Sequence, residues 1–274
     1  MQPTIVTIID TTELASVTVL IFNWNSGQLL SECLKHLLMQ TVRPARVIVL
    51  DNASADPSVD ALGLCSNVTL QRAGTNLGFA AGNNRILAEC DSEFIALLNP
   101  DAFPEPVWLE NLLRATLANP DVASFGSRQL NYANTEYLDG IGDSYHVSGL
   151  VWRERYGEKL QSTDFEPREI FSPCAAAALY RRQAVMDVGG FDEDFFCYKE
   201  DVDLAWRLRL YGWKTMYQPE AIAFHDRTSG ESTTLNYIGI IRERLKINKF
   251  SSSQINELLS IDTLPTNSLA FGFE

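Results

Sequence analysis

The sequence predicts an α/β fold in which helices cover both faces of a mostly parallel β-sheet. Three observations favour this class: short apolar runs alternate with amphipathic helical segments, the runs are continuously apolar, and polar side chains follow them directly. Continuously apolar strands are typical of parallel sheets that are buried on both faces. With 274 residues, 46% of them hydrophobic, the chain can bury a sizeable core in one domain.

The first half of the chain repeats a unit of strand, loop and helix. Strands are predicted at 17–22, 46–50, 68–71 and 94–98, and helices near 29–38, near 58–65, from the glycine-rich segment 74–84, and after 104–106. In such sheets ligands bind outside the carboxyl ends of the strands. Asn23, Asp51, Asn99 and Asp101 all fall at those ends.

The regular alternation of apolar strands and helices ends near Val122. Segment 132–156 is polar and aromatic, with a hairpin or mobile loop expected at 147–156, and we expect acceptor contacts there. The remaining elements are predicted as a strand at 171–180, helices at 181–188, 201–211 and 233–250, and strands at 214–218 and 221–225. The predicted organisation is one domain, 1–250, with a nucleotide-binding half (1–128) and an acceptor and catalytic half (129–250), followed by a C-terminal tail (251–274). The predicted fold includes a C-terminal helical extension.

Composition excludes several classes of protein. A net charge of −13 disfavours nucleic acid or an anionic membrane as the main partner. The five cysteines are scattered and form no C-x-x-C pair, which argues against a disulfide framework and a structural zinc site. The first sixteen residues do not resemble a secretory signal, and no run reaches the ~18 apolar residues of a membrane span. We therefore expect a cytoplasmic protein.

Asp51 is the first candidate for ligand binding. At the tip of the second strand its carboxylate can accept the N–H of a pyrimidine base, with Asn52 beside it and Asn23 at the end of the neighbouring strand. An Asx turn that caps the next helix explains Asp51 equally well.

The segment 74–84 contains glycines that let backbone approach a ligand. Asn76, Gly78 and Asn83 are its candidate binding residues. The spacing differs from the G-x-G-x-x-G dinucleotide fingerprint, and a glycine-rich turn with close helix packing is the alternative.

Asn99-Pro-Asp101 places an amide and a carboxylate in a tight turn after an apolar strand. Such oxygen ligands suit Mg²⁺ or Mn²⁺ on a diphosphate, although a Pro-Asp turn needs no metal. His225 ends another apolar run and could ligate the same cation or contact a phosphate, although a lone histidine is more often structural.

The segment 191–203 crowds six carboxylates among aromatic residues. Like charges at this density raise pKa values, which can make a carboxylate a general base near neutral pH. Asp201, at the start of a predicted helix, and Glu200 beside it are the catalytic candidates. The alternative is a solvated acidic helix start that the helix dipole favours.

Taken in order, these motifs resemble the inverting family 2 glycosyltransferases of GT-A fold, particularly the bacterial rhamnosyltransferase-like branch. The resemblance covers roughly 17–250 and rests on an ordered set of matches rather than on one motif. The matching pieces are the Asn23 loop, 51–54, 76–84, 99–101, 189–192, 200–204 with Arg207, Gly212-Trp213 and His225.

The resemblance implies a role for each candidate. Asp51 would help to bind the base, Asp101 would hold a divalent cation on the diphosphate, and Asp201 would be the catalytic base. His225 would be the second contact to the metal or diphosphate. Asn99-Pro-Asp101 differs from a pair of carboxylates, and Arg242-Glu243-Arg244 stands where an Arg-Asn pair is frequent in the branch.

By resemblance the expected partners are a nucleoside-diphosphate sugar and a saccharide. dTDP-rhamnose is the favoured donor, ahead of UDP-sugars and GDP-mannose, and a lipid-linked saccharide of a cell-surface polysaccharide is the favoured acceptor. A peripheral contact at the inner face of the membrane would suit such an acceptor. The sequence does not indicate an oligomeric state. A non-catalytic nucleotide-sugar-binding module and a sugar-1-phosphate nucleotidyltransferase are the alternative functions, but the loop 23–27 lacks the basic phosphate-binding residues of the latter.

Overall fold

The computed structural model describes residues 16–59, 68–146 and 150–227. The strands are β1 (Val17–Asn23), β2 (Arg46–Asp51), β3 (Val68–Arg72), β4 (Phe94–Leu98), β5 (Ala102–Pro104), β6 (Val122–Asn131), β7 (Leu138–Gly140), β8 (Asp143–Tyr145), β9 (Val151–Arg153), β10 (Arg168–Glu169), β11 (Ala177–Arg181) and β12 (Lys214–His225). The helices are α1 (Leu29–Leu38), α2 (Phe79–Leu87), α3 (Trp108–Ala118), α4 (Arg182–Asp187) and α5 (Glu200–Leu210), with a 3-10 turn at Ser162–Phe165. Most of the helix predicted near 58–65, the helix at 233–250 and the tail at 251–274 lie outside the described residues.

Ten of these strands form one sheet, in the order β10-β12-β6-β11-β4-β1-β2-β3, with β5 beside β12 and β7 beside β6. β3, β2, β1 and β4 are parallel, β11 runs antiparallel between β4 and β6, and β12 is parallel to β6. The principal strands therefore point the same way, and their carboxyl ends meet at one edge. The predicted α/β class with a mostly parallel sheet is confirmed.

Helices pack on both faces of this sheet because its strands are apolar on both. One face carries α1 and α3, whose buried side chains include Leu30 and Trp108. The other face carries α2, α4 and α5, which bury Ile86, Val185 and Leu204. Neighbouring residues of β1, β2, β4 and β11 alternate between the two cores, which fixes the register of these strands.

The second half of the sheet differs from the prediction. β6 was not predicted, because its buried polar residues obscure the apolar pattern; Ser124, for example, hydrogen-bonds to Thr215 over 2.8 Å. The strands expected at 214–218 and 221–225 are one strand, β12, whose register shifts between Gln218 and Ile222. Pro219 lies in this shift, where a missing N–H breaks the ladder without ending the strand. The predicted boundary at 128/129 falls inside β6.

Two further boundaries differ. Ala102–Pro104 is the short strand β5, paired with β12, so α3 begins only at Trp108. The strand expected at 171–180 is restricted to β11, because Pro173 interrupts the run and the residues after it form a loop that reaches α5. A hairpin was one alternative for 147–156; the observed hairpin pairs β8 with β9 and so begins earlier, with only its second strand inside the predicted range. Residues 147–149 are outside the described residues.

Candidate active site

The amide of Asn23 organises the carboxyl ends of β1 and β2. Its Nδ2 donates to Asp51 Oδ1 at 3.3 Å, to Ser54 Oγ at 3.2 Å and to Ser58 Oγ at 3.1 Å. Ser26 Oγ donates back to Asn23 Oδ1. The Asn23 side chain is fully buried, and its hydrogen bond to Asp51 orients that carboxylate.

Asp51 lies at the tip of β2 with both carboxylate oxygens in contact with neighbours. Oδ1 also accepts the Ser54 N–H at 3.3 Å, which is the predicted turn-capping bond, and Oδ2 lies 3.5 Å from Arg72 Nη1. The Arg72 side chain is more than half exposed. A carboxylate and a guanidinium thus stand together at the sheet edge, where they can meet a polar, anionic ligand.

Asn52 and Asn76 tie this edge to the glycine-rich segment. Asn52 Nδ2 donates to Asn76 Oδ1 at 2.5 Å, and Asn52 Oδ1 accepts the Leu77 N–H at 2.7 Å. Asn76 Oδ1 also accepts the Gly78 N–H at 3.0 Å. These bonds fix the loop that leads into α2.

Gly78 must be glycine for two reasons. Its φ is +80°, and a Cβ would lie 2.4 Å from the Phe196 carbonyl oxygen and 2.7 Å from its ring. The next residue, Phe79, donates its N–H to the same carbonyl at 2.6 Å. The glycine-rich segment therefore packs directly on the loop that precedes Asp201.

We expect Gly78→Ala to lower the free energy of unfolding by about 1–3 kcal/mol, because the methyl group collides with backbone and the φ angle is strained. Gly74→Ala is the matched control, since nothing lies within 4 Å of its Cβ. Urea unfolding of the two variants measures the difference. Equal stabilities would contradict the packing described here.

Asn83 and Asn84 have different environments on α2. Asn83 is buried and its Nδ2 bonds to the Phe79 carbonyl within the helix, at 2.9 Å. Asn84 bonds Phe191 twice, through Nδ2 to the carbonyl at 2.7 Å and through Oδ1 from the N–H at 2.8 Å. Asn84 was not predicted to be a site residue, yet it attaches the acidic segment to α2.

At the end of β4, Asp101 meets His225 from β12. Asp101 Oδ1 lies 3.3 Å from His225 Nε2, and His225 Nδ1 lies 2.8 Å from Asp139 Oδ2. Burial works to lower the pKa of His225, but the hydrogen bonds to both carboxylates outweigh burial and raise it. The pair predicted to bind a metal is therefore brought together by the fold.

Asp101 and His225 fit a divalent cation whose remaining ligands are phosphate oxygens and water. An Nδ1–H donated to Asp139 would leave Nε2 of His225 facing Asp101, the usual arrangement of a metal-binding histidine. Within 16–59, 68–146 and 150–227, no three His, Cys, Asp or Glu side chains are grouped to hold a metal alone. Mg²⁺ commonly takes one or two protein ligands and completes its shell with phosphate oxygens and water.

Asn99 and Asp201 are connected through one short loop. The Asn99 N–H donates to the Ala176 carbonyl at 2.9 Å, and the Ala175 N–H donates to Asp201 Oδ2 at 3.2 Å. Asp201 Oδ1 accepts the N–H of Val202 at 2.9 Å. The candidate base therefore lies beside the turn that carries Asp101.

Both catalytic candidates are buried at the start of α5, with exposures of 5% for Glu200 and 7% for Asp201. Burial and the neighbouring Asp143 carboxylate raise the pKa of Asp201, against Lys199 and Arg153, which lower it. Burial and Asp201 likewise raise the pKa of Glu200. The fully solvated helix start is wrong for these two residues, because both side chains are buried.

Glu200 makes stability depend on pH. Its pKa rises from 4.5 to about 8 in the native state, which therefore favours the protonated carboxyl group. The contribution of this group to the free energy of unfolding is fully present below pH 4.5 and is lost as the pH rises through 8. We expect Glu200→Gln to be on the order of 3 kcal/mol more stable than the wild type at pH 9, with little difference at pH 4.5. Urea unfolding at both pH values measures this, with exposed Glu220→Gln as control. A pH-independent difference would contradict the burial of an ionisable Glu200.

Three residues of the candidate site were not predicted: the buried Asp139 and Asp143, and Arg153, whose side chain is 19% exposed. The signal that could have found them is the run Asp139-Gly-Ile-Gly-Asp143, in which both glycines have positive φ and both carboxylates turn toward Arg153. Asp139 also pairs with Arg227. Burial works to raise the pKa of Asp139, but His225 and the two arginines lower it to about 2.

The described parts of the chain contain no helix long and apolar enough to cross a membrane. Among the described cysteines, Cys33, Cys90 and Cys174 are buried free thiols, and Cys197 is a partly exposed one.

Comparison with known proteins places this geometry in a family. Residues 18–189 match the model of glycosyl transferase family 2. The chain is 34% identical over 192 residues to the pre-mycofactocin glycosyltransferase of Mycobacterium tuberculosis, covering 69% of this chain and 39% of that protein. It is 29% identical over 226 residues to the N-acetylglucosaminyl-diphospho-decaprenol L-rhamnosyltransferase of the same organism, covering 74% of each.

Among solved structures, the mannosyltransferase PcManGT of Pyrobaculum calidifontis, in complex with GDP-Man and Mn²⁺, superposes with a TM-score of 0.62 at 17% identity. The match covers 91% of this chain and 69% of that one, and it supports the GT-A fold. The family model spans more than half of the chain, and its matched residues include the Asp51 edge and the Asp101 turn. The chain therefore belongs to glycosyl transferase family 2.

Proposed function

We propose that this chain transfers a sugar from a nucleoside diphosphate to a saccharide hydroxyl, with inversion at the anomeric carbon. The observation that carries the proposal is the buried Asp201, joined through Ala175 and Ala176 to the turn that bears Asp101. A carboxylate whose pKa is raised by burial is suited to take a proton near neutral pH.

In this mechanism Asp201 accepts the proton of the acceptor hydroxyl as its oxygen attacks the anomeric carbon, and the bond to the diphosphate breaks. One displacement inverts the configuration. Asp51 accepts an N–H of the base, and Arg72, which lies beside it, is placed to contact the anionic donor. Asp101 and His225 would hold a Mg²⁺ or Mn²⁺ ion, which when bound offsets the charge of the leaving diphosphate.

The favoured donor is dTDP-rhamnose, and the favoured acceptor is a lipid-linked saccharide of a cell-surface polysaccharide. Both rest on similarity to the decaprenol-linked rhamnosyltransferase, of which the chain covers 74%. An acceptor of this kind would bring a cytoplasmic enzyme to the inner face of the membrane. Burial of both catalytic candidates suits a reaction from which water is excluded.

Product analysis tests transfer itself. The purified chain is incubated with dTDP-rhamnose, UDP-sugars or GDP-mannose, a divalent cation and a panel of free and lipid-linked saccharides. Mass spectrometry should show the gain of one sugar residue, and NMR should show an anomeric configuration opposite to that of the donor. Retention of configuration would contradict a single displacement. Formation of a sugar nucleotide from a nucleoside triphosphate and a sugar 1-phosphate would favour a nucleotidyltransferase instead.

A further inference from the structure

A largely buried arginine, Arg153, lies between Asp201 and the Asp101–His225 pair. Arg153, on the hairpin strand β9, contacts Asp143 through Nε at 3.2 Å and Asp139 through Nη1 at 3.3 Å. Its side chain is 19% exposed, and both carboxylates are 1% exposed. A guanidinium presents its donors in a rigid fork, so one side chain can fix two carboxylates at once.

Asp139 is connected by contacts to His225, and Asp143 is connected by contacts to Asp201. Asp139 bonds to Nδ1 of His225, whose other ring nitrogen faces Asp101. Asp143 lies 3.9 Å from Lys199 Nζ, and its backbone pairs with Ser172, whose hydroxyl bonds to the Asp201 carbonyl at 3.0 Å. Contacts therefore run from the leaving-group side of the site through Arg153 to the base.

The backbone around Arg153 is shaped to admit it. Gly140 has a φ of +144°, and a Cβ there would lie 2.2 Å from Arg153 Cδ and 2.6 Å from Cγ. The same turn directs Asp139 and Asp143, on either side of it, toward the guanidinium. Room for the arginine is thus built into the backbone.

We propose that Arg153 is a positioning residue for the transfer reaction, which orients His225 through Asp139 and sets the charge around Asp201 through Asp143. This inference rests on the proposed transferase function. The ion-pair partners of Arg153 are Asp139 and Asp143, so its effect on His225 and Asp201 passes through these two carboxylates.

The charges around Asp201 predict the direction in which its pKa changes in each variant. Asp143 raises the pKa of Asp201, whereas Arg153 and Lys199 lower it. Loss of the Arg153 charge must therefore raise the pKa of Asp201, and loss of the Asp143 charge must lower it. The titratable groups that interact with Asp201 come from β8, β9, β11, α5 and the loops before β11 and α5: Asp143, Arg153, Tyr180, Glu200, Cys174, Cys197 and Lys199.

The test is a direct titration of Asp201 by ¹³C NMR in protein labelled at the aspartate carboxyl carbons, with the signal assigned by its loss in Asp201→Asn. We expect Arg153→Met to raise the midpoint and Asp143→Asn to lower it, each by about one pH unit. The double variant should return toward the wild-type midpoint, because the two removed charges are opposite. Gly140→Ala, which displaces the side chain without deleting its charge, is a further variant if Arg153→Met fails to fold.

Kinetics give the second readout. Arg153→Lys keeps the charge but not the fork, so we expect a nearly wild-type Asp201 midpoint with kcat about 10²-fold lower and KM for the donor little changed. Midpoints that move in the same direction, or not at all, would overturn the proposal, as would an unchanged kcat in Arg153→Lys. The titration needs no turnover, so a wild type that transfers no sugar would refute the proposed function, while the NMR shifts would still judge the charge role of Arg153.

Discussion

In the Asp201→Asn variant we expect the rate of sugar transfer to fall by about 10³-fold or more, because the amide cannot accept the proton of the acceptor hydroxyl. The structure gives the substitution few other consequences. Asp201 Oδ1 and Oδ2 accept backbone N–H groups, which an amide oxygen can partly replace. Donor affinity should therefore remain close to that of the wild type.

Asp203→Asn is the matched control for this substitution. Asp203 lies on the same helix and is also buried, but it bonds to Arg207 at 2.8 and 2.7 Å, away from the Ala175 loop. We expect its loss to reduce stability while kcat of the folded protein stays within about threefold, since it touches no reacting group. Calorimetry of donor binding and single-turnover rates separate these effects. An Asp201→Asn variant that transfers sugar as fast as Asp203→Asn would remove Asp201 from the mechanism.

The second large effect is expected at Asp101. In Asp101→Ala we expect kcat/KM for the donor to fall by about 10²-fold to 10³-fold, because one of the two candidate cation ligands is lost while the diphosphate still needs charge compensation. The concentration of Mg²⁺ or Mn²⁺ that gives half-maximal rate should rise. EDTA should suppress the wild type to a similar level.

Asp121→Asn controls for the loss of a carboxylate elsewhere. Asp121 forms an exposed ion pair with Lys214 at 2.7 Å, and such pairs contribute little. Its rates and metal dependence should match those of the wild type. Full activity of the wild type in EDTA, with Asp101→Ala equally active, would show that the Asp101 and His225 pair serves another purpose.

The strands up to β4 could be predicted because their chemistry is local. β1, β2 and β4 are almost continuously apolar and either end in a polar residue or are followed directly by one. Their position in the sequence, and that of Asp51 and Asp101, therefore follows from neighbouring residues alone. β6 and β12 were harder to predict, because they contain buried polar residues. Ser124 and Thr215, for example, hydrogen-bond to each other between strands that are far apart in sequence.

The same distinction applies to the site. Asp201 stands out in the sequence as a candidate base because its segment is crowded with acidic residues. The network of Asp139, Asp143 and Arg153 depends on a hairpin whose partners only the tertiary structure reveals. Asn23 was predicted as a binding residue on its position at a strand end. Its side chain has four hydrogen-bond partners, all of them protein side chains around Asp51, and such contacts cannot be predicted from a strand pattern.

Release of nucleoside diphosphate from a sugar nucleotide tests the central claim most directly. The wild type and Asp201→Asn would be incubated with dTDP-rhamnose and with panels of UDP- and GDP-sugars, each with Mg²⁺, Mn²⁺ or EDTA and with saccharide acceptors. We predict release from one donor, dependent on a divalent cation, stimulated by an acceptor and lost in Asp201→Asn. Absence of binding and turnover with every donor would contradict the transferase function, and tight binding without turnover would favour a nucleotide-sugar-binding module.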